Sequence, residues 1–202
     1  MFEIINSNES KIVESDDTDL YQYRVFIGYN LIETNKRSSY WFIDNDTAYC
    51  KTGDGSTLTS HKMCVEIFGY TPENKSSTFS RGSELPYING CSTKQLIPAA
   101  RPGDPTFQLL YIPEGTSEQA HHIHATPRVV FVLKGHGKSI VGTEGNNKTY
   151  DLNENDVIIL GRMVPHHFET KDSTLVVLPM HVFSSIGSEE FNHPMFNGTH
   201  KV

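Results

Sequence analysis

The chain has 202 residues, and 37% of them are aliphatic, aromatic or cysteine, enough to bury the core of one domain or of one domain with an extension. The formal net charge of −7 comes from 17 basic and 24 acidic residues, which are spread without long runs. This balance argues against binding to nucleic acids and to anionic membranes, because both require clustered Lys and Arg. No stretch approaches the roughly 20 apolar residues of a membrane span, and no basic and apolar leader of a secretory signal is visible.

The cysteines indicate a reducing compartment. Cys50, Cys64 and Cys91 are odd in number and follow no spacing motif. That usage is typical of free thiols rather than of a disulfide framework. We therefore expect a cytoplasmic protein.

The N-terminal 90 residues have weak helical periodicity and many β-branched and aromatic residues. Residues 21–32 predict one long strand, and residues 40–43 and 47–51 predict two strands around a turn. Residues 61–70 fit a strand or a short helix, and the Pro, Ser, Gly and Asn of residues 71–90 predict a long loop.

We expect residues 1–90 to form a β extension that joins the sheets of the following domain. The strand predicted over residues 21–32 is long and apolar, and such an edge strand pairs readily with another chain. The sequence therefore predicts a homodimer assisted by this strand.

Residues 91–185 contain short apolar runs separated by Gly, Asn and Pro turns. This spacing predicts an antiparallel sandwich or barrel of jelly-roll type, followed by an irregular C-terminal tail over residues 186–202. Residues 121–124 predict one short strand. The other predicted strands are residues 107–112, 129–133, 138–143, 148–152, 157–160, 166–170 and 174–183. We find no internal sequence repeat and do not expect residues 1–90 to be a second copy of the barrel.

Three histidines in this domain predict a metal site. His122 and His124 are two residues apart, so on a strand both imidazoles leave the same face. His166 follows a turn on a later strand and can complete a set of three nitrogen ligands. Neutral imidazole suits zinc, copper, iron and nickel.

The segments around these histidines resemble the paired motifs of the cupin superfamily. His122, His124 and Gly135 match the first motif, and Asp156 and His166 match the second. The resemblance covers residues 105–183 and implies an all-β fold, a double-stranded β-helix. It also implies one divalent metal ion per chain on His122, His124 and His166.

The chain departs from the family pattern at the acidic position of the first motif, which is Arg128. Arginine cannot ligate a metal. It either grips an anionic substrate with its planar guanidinium or forms a salt bridge at the rim of the barrel.

Five other residues are candidates for the site. Gln108 and Tyr111 lie on opposite faces of the preceding predicted strand, and His181 interrupts an apolar strand. We expect these three and Arg128 to contact the substrate. Glu118 and Gln119 precede the histidine pair, where either is an extra ligand, an acid or base, or part of a solvated loop.

The resemblance implies an enzyme that acts on a small anionic metabolite, with Fe²⁺ preferred and Zn²⁺, Mn²⁺, Ni²⁺ or Cu²⁺ as alternatives. Three-histidine cupin sites often activate oxygen, so a dioxygenase is the first hypothesis. A metal-dependent isomerase, lyase or decarboxylase is the second, in which the ion acts only as a Lewis acid. A non-catalytic binding barrel is the third, because a fold does not determine a function.

Overall fold

The computed structural model describes residues 1–17, 22–59, 62–79, 84–100 and 103–183. These residues form an all-β structure of 18 strands and a single 3₁₀ turn at Ile88–Gly90, which confirms the predicted fold class. Within these ranges, no helix is long and apolar enough to cross a membrane. The C-terminal tail predicted over residues 186–202 lies outside the described residues.

The chain divides into two compact units, one of residues 5–82 and one of residues 1–4 and 83–202. The first unit has a six-stranded sheet in the order β2-β3-β8-β5-β6-β9 and a two-stranded sheet β4-β7. Its strands are β2 (Lys11–Glu14), β3 (Tyr23–Ile27), β4 (Leu31–Glu33), β5 (Ser38–Asp44), β6 (Thr47–Thr52), β7 (Thr57–Thr59), β8 (Met63–Phe68) and β9 (Lys75–Thr78).

The expectation that the N-terminal strands extend the barrel's sheets is wrong for these eight strands. The apolar run predicted as one strand over residues 21–32 is broken by Gly28, at φ 67°, into β3 and β4. β3 pairs with β2 on one side and with β8 on the other, so its backbone is not a free edge. β3 therefore offers no free edge to a second chain, and a homodimer stays a prediction.

The second unit contains a seven-stranded sheet in the order β1-β16-β13-β18-β12-β11-β10 and a three-stranded sheet β15-β14-β17. Its two sheets form the predicted double-stranded β-helix. The strands are β1 (Phe2–Asn6), β10 (Leu85–Pro86), β11 (Ser92–Ile97), β12 (Thr106–Ile112), β13 (Arg128–Gly135), β14 (Gly137–Val141), β15 (Lys148–Leu152), β16 (Asp156–Leu160), β17 (His166–Glu169) and β18 (Leu175–His181).

The two units share a strand order that the sequence did not reveal. Reading β2-β3-β8-β5-β6 against β11-β12-β18-β13-β16 matches the strands both in sheet position and in chain order. The hairpin β14–β15, which lies between β13 and β16 in the second unit, has no counterpart between β5 and β6. These two strands are joined directly by Asn45 and Asp46.

The core of the second unit explains why its strands form. β16 is buried along its whole length, as expected for apolar residues with both faces covered. Alternate residues of β13, Val130 and Val132, enter a core that also holds Leu110 and Ile158. This packing leaves Arg128, two residues before Val130, on the same face of β13.

Two segments differ from the sequence prediction. Residues 121–124 form no strand, and His122 makes only an isolated bridge to His166. Residues 71–90, predicted as a loop, contain β9, β10 and the 3₁₀ turn. Pro, Gly and Ser are frequent in residues 71–90, and in both segments tertiary pairing rather than local propensity decides the backbone.

Gly135 closes β13 with a backbone that no other residue fits. Its φ is 81°, and a Cβ atom there would lie 1.9 Å from the carbonyl oxygen of Thr174. We expect Gly135→Ala to cost about 1–3 kcal/mol more in unfolding free energy than Gly145→Ala, because the first must displace backbone. Gly145 is the matched control, with φ 79° and no atom within 4 Å. Equal losses in denaturant unfolding would contradict the contact.

Candidate metal centre

Two backbone hydrogen bonds bring His122 and His166 together. The N–H of His122 donates to the carbonyl of His166 at 3.1 Å, and the N–H of His166 donates to the carbonyl of His122 at 2.9 Å. The bridge makes the two residues direct neighbours, and their rings lie 4.5 Å apart between centroids.

His124 completes the cluster. Its Nε2 lies 3.0 Å from the Nε2 of His122, and the ligand atoms of His122, His124 and His166 all lie within 4.8 Å of one another. The N–H of Met163, at φ 58°, donates to the carbonyl of His124 at 2.8 Å, so the loop before β17 also holds this residue.

The hydrogen bonds on the other ring nitrogens orient two of the imidazoles. The Nδ1 of His122 contacts the carbonyl of Ala120 at 2.9 Å, and the Nδ1 of His166 contacts the carbonyl of Val164 at 2.8 Å. A carbonyl on Nδ1 selects the tautomer whose Nε2 carries a lone pair. This is the usual arrangement of metal-ligating histidines.

Burial lowers the pKa of two of the three imidazoles, those of His124 and His166. It lowers the pKa of His166 to about 4, with a smaller lowering by Arg128, although the hydrogen bond to Val164 raises it. Burial and then the charge of Arg128 hold the pKa of His124 far below its usual range. Metal ligation requires the neutral ring. The three histidines therefore fit a divalent transition metal in number, His122 and His166 also in tautomer, and His124 and His166 also in charge.

Arg128 lies in the cavity with the histidines. Its side chain is 2% exposed, and its Nη1 donates to the carbonyl of Thr126 at 3.1 Å and to the hydroxyl of the same residue. It also donates to the carbonyl of Pro127 at 3.3 Å. Neutral oxygens of the segment just before β13 thus bind the guanidinium, and its side chain lines the cavity with the three histidines.

Four further predicted residues line the same cavity: Gln108, His181, Glu118 and Gln119. Gln108 is fully buried, and neither atom of its amide has a hydrogen-bond partner among the described residues. The ring of His181 lies 6.2 Å from that of His124. Burial raises the pKa of the Glu118 carboxyl to about 8, although a backbone hydrogen bond from Phe168 lowers it.

Gln119 is the predicted residue closest to His122, with its Nε2 2.6 Å from the Nε2 of the histidine. Tyr87 holds the other end of the amide, because its hydroxyl donates to the Oε1 of Gln119 at 3.1 Å. Sequence reasoning missed Tyr87, which lies in the segment predicted as a loop and carries no motif.

Tyr111 does not line the cavity, so its expected substrate contact has no support in the geometry. Gln108 and Tyr111 differ by three positions on β12, and only the first points inward. The cavity is small, with a volume of about 50 Å³, and apolar side chains such as Val130, Leu160 and Phe168 complete its wall.

Comparison with known proteins supports the fold of this unit. Residues 108–183 match the sequence model of the cupin domain family. No curated protein matches the sequence.

Among solved structures, a cupin 2 conserved barrel domain protein from Leptotrichia buccalis has a TM-score of 0.54 at 15% identity, over 89% of this chain and 96% of its own. A variant of oxalate decarboxylase from Bacillus subtilis has a TM-score of 0.56 at 9% identity, over 93% and 80%. The 7S globulin of Momordica charantia has a TM-score of 0.52 at 8% identity, over 89% and 83%.

At these identities the solved structures establish the fold alone. The family match covers the strands that carry the histidines and the cavity, from Gln108 to Phe183. Residues 108–183 therefore form a cupin domain.

Proposed function

We propose that the cupin domain is a metal-dependent enzyme that acts on a small anionic metabolite, with Fe²⁺ as its native ion and dioxygenase chemistry as its reaction. The observation that carries this proposal is that three imidazoles and the buried Arg128 line a single cavity. The family motif has an acid at the position of Arg128. Because this chain has arginine there, the cavity favours a negatively charged molecule.

The proposed ligands are His122, His124 and His166. Three nitrogen ligands leave coordination positions open, and a bound Fe²⁺ would supply oxygen activation there. Zn²⁺, Mn²⁺, Ni²⁺ and Cu²⁺ are the alternative ions, because the same ligands suit them.

The charge of the cavity supports an anionic substrate. A divalent ion on three neutral ligands keeps a charge of about +2, and Arg128 adds a further positive charge. A carboxylate matches the fork of the guanidinium. We assign the buried amide of Gln108 to a polar group of the substrate, because a buried amide without partners is costly.

Glu118 favours the non-oxidative alternative, an isomerase, lyase or decarboxylase. With its pKa raised to about 8, the carboxyl is mostly protonated at neutral pH and suits a proton donor. An oxalate decarboxylase is among the proteins of similar fold. In both candidate reactions Arg128 and Gln108 bind the substrate, and the two reactions differ in whether oxygen is consumed.

We also propose a cytoplasmic location. Cys50, Cys64 and Cys91 are buried free thiols, and burial raises the pKa of each one. Such thiols suit a reducing compartment.

The first test combines metal content with oxygen uptake in protein purified without an affinity tag. We expect His124→Ala to lose one tightly held ion per chain and to retain its fold, because the barrel has its own apolar core. His136→Ala is the control, since His136 is exposed and its ring contacts the carboxylate of Asp172.

Iron-loaded protein is then mixed with a panel of small carboxylic acids. Oxygen consumption that requires iron and is lost in His124→Ala supports the dioxygenase. Turnover without oxygen supports the second candidate. Unchanged metal content in His124→Ala overturns the assignment of the ligands, and binding without any turnover overturns the assignment as an enzyme.

Arg128→Glu should separate metal binding from anion binding. The substitution would add a carboxylate that can ligate the metal, and it would remove a positive charge. We therefore expect metal affinity at least as high as in the parent. We expect the affinity for a small carboxylate to fall at least about tenfold, the loss of one charge-assisted pair. The measurements are metal competition and inhibitor titration, with the exposed Arg162→Gln as control. Unchanged affinity for both would show that Arg128 does not serve the cavity.

Glu118→Gln should stabilise the metal-free protein in a pH-dependent manner. The folded pKa of Glu118, about 8, lies above its ordinary value of 4.5. The parent therefore loses stability as pH rises from about 5 to 8, because only the unfolded carboxyl ionises freely in this window. The variant lacks this loss. We expect the Tm difference between variant and parent to grow from pH 5 to pH 8, and a constant difference would contradict the raised pKa.

A further inference from the structure

The two histidines next to the metal ligands form a second cluster on the opposite face of the same bridge. Because neighbouring residues of extended chain point to opposite faces, His121 and His167 leave the bridge away from the cavity. They meet each other there, with their Nδ1 atoms 2.7 Å apart and their rings nearly perpendicular, at 87°.

The remaining ring nitrogens of this pair both contact oxygen acceptors. The Nε2 of His121 lies 2.5 Å from the carbonyl oxygen of Gly142. The Nε2 of His167 lies 2.9 Å from the Oε1 of Glu169. A carbonyl and a carboxylate only accept, so both Nε2 atoms must carry the hydrogen.

The Nδ1 atoms then have no hydrogen between them. Two neutral imidazoles carry two hydrogens, and both are used by Gly142 and Glu169. Two lone pairs facing each other at 2.7 Å repel, so a positive centre belongs between them. Moving one hydrogen to the Nδ1 of His167 only shifts the conflict to the carboxylate of Glu169.

We propose that His121 and His167 form a second transition-metal site, which binds Zn²⁺, Cu²⁺ or Ni²⁺ through the two Nδ1 atoms. A ligating histidine usually donates its other N–H to a carboxylate or a backbone carbonyl, and here Glu169 and Gly142 supply one of each. An ion with bonds of about 2.0–2.1 Å needs nitrogens up to about 3.4 Å apart for tetrahedral angles, so a small widening of the pair suffices.

The site is accessible from solvent. The side chain of His167 is 14% exposed and that of Glu169 is 48% exposed. Gly142 is held in place by its N–H, which donates to the carbonyl of Pro165 at 2.9 Å. Water would complete the coordination of an ion that only two residues bind. We therefore expect weaker binding than at the three-histidine centre.

The test isolates this site in a His124→Ala background and titrates Zn²⁺ against a competing chelator dye. We expect about one Zn²⁺ per chain to bind, and His167→Gln in the same background to weaken it at least tenfold. Glu169→Gln should weaken it less and leave one ion bound, because this residue only orients His167. His136→Gln is the matched control and should change nothing.

A Co²⁺ absorption spectrum in the same variants tests for nitrogen ligation. The metal-free Tm of His167→Gln and of a second variant, His121→Asn, separates lost ligands from lost folding. The proposal is overturned if His124→Ala binds no Zn²⁺, or if both histidine variants still bind it. A proton shared between the two rings would then explain the short contact between their Nδ1 atoms. Failure of the three-histidine centre is distinct, since wild-type protein would then bind as many ions as His124→Ala.

Discussion

The isolated bridge between His122 and His166 is the constraint on which the candidate site depends. Residues 121–124 form no strand, and two backbone hydrogen bonds align His122 with His166, the first residue of β17. The bridge also determines which side chain faces which way. His122 and His166 point into the cavity, and their neighbours His121 and His167 point out of it. A slip of one residue would exchange the two pairs.

The cavity concentrates polar groups that a barrel core would ordinarily exclude. Arg128, Glu118 and Gln108 are all nearly or fully buried beside the histidines. Burial disfavours the charged form of each titratable group, so the histidines stay neutral, the carboxyl keeps its proton, and only the guanidinium remains charged. Such a site destabilises the fold that contains it, and a cation with an anionic ligand would recover part of the cost.

The sequence predicted the barrel well because its signals were local. Seven strands of the cupin domain lie within two residues of their predicted ends, where apolar runs stop at Gly, Asn or Pro. It also predicted that Gln108, Arg128 and His181 would share a cavity. It failed where long-range pairing decides the structure: the bridge at His122, the short strands within residues 71–90, and the hydrogen bond of Tyr87 to Gln119.

The N-terminal unit shows what the same strand order becomes without polar ligands. By strand order, β4 and β7 occupy the place of the His122 and His166 segments, and there Ile32 pairs with Leu58. Both side chains are buried in an apolar cluster with Phe26 and Phe42. At this position the N-terminal unit therefore buries apolar side chains, where the cupin domain carries two histidines. Histidines at two bridged positions, and not the strand order, therefore distinguish the candidate metal centre from the apolar cluster of the N-terminal unit.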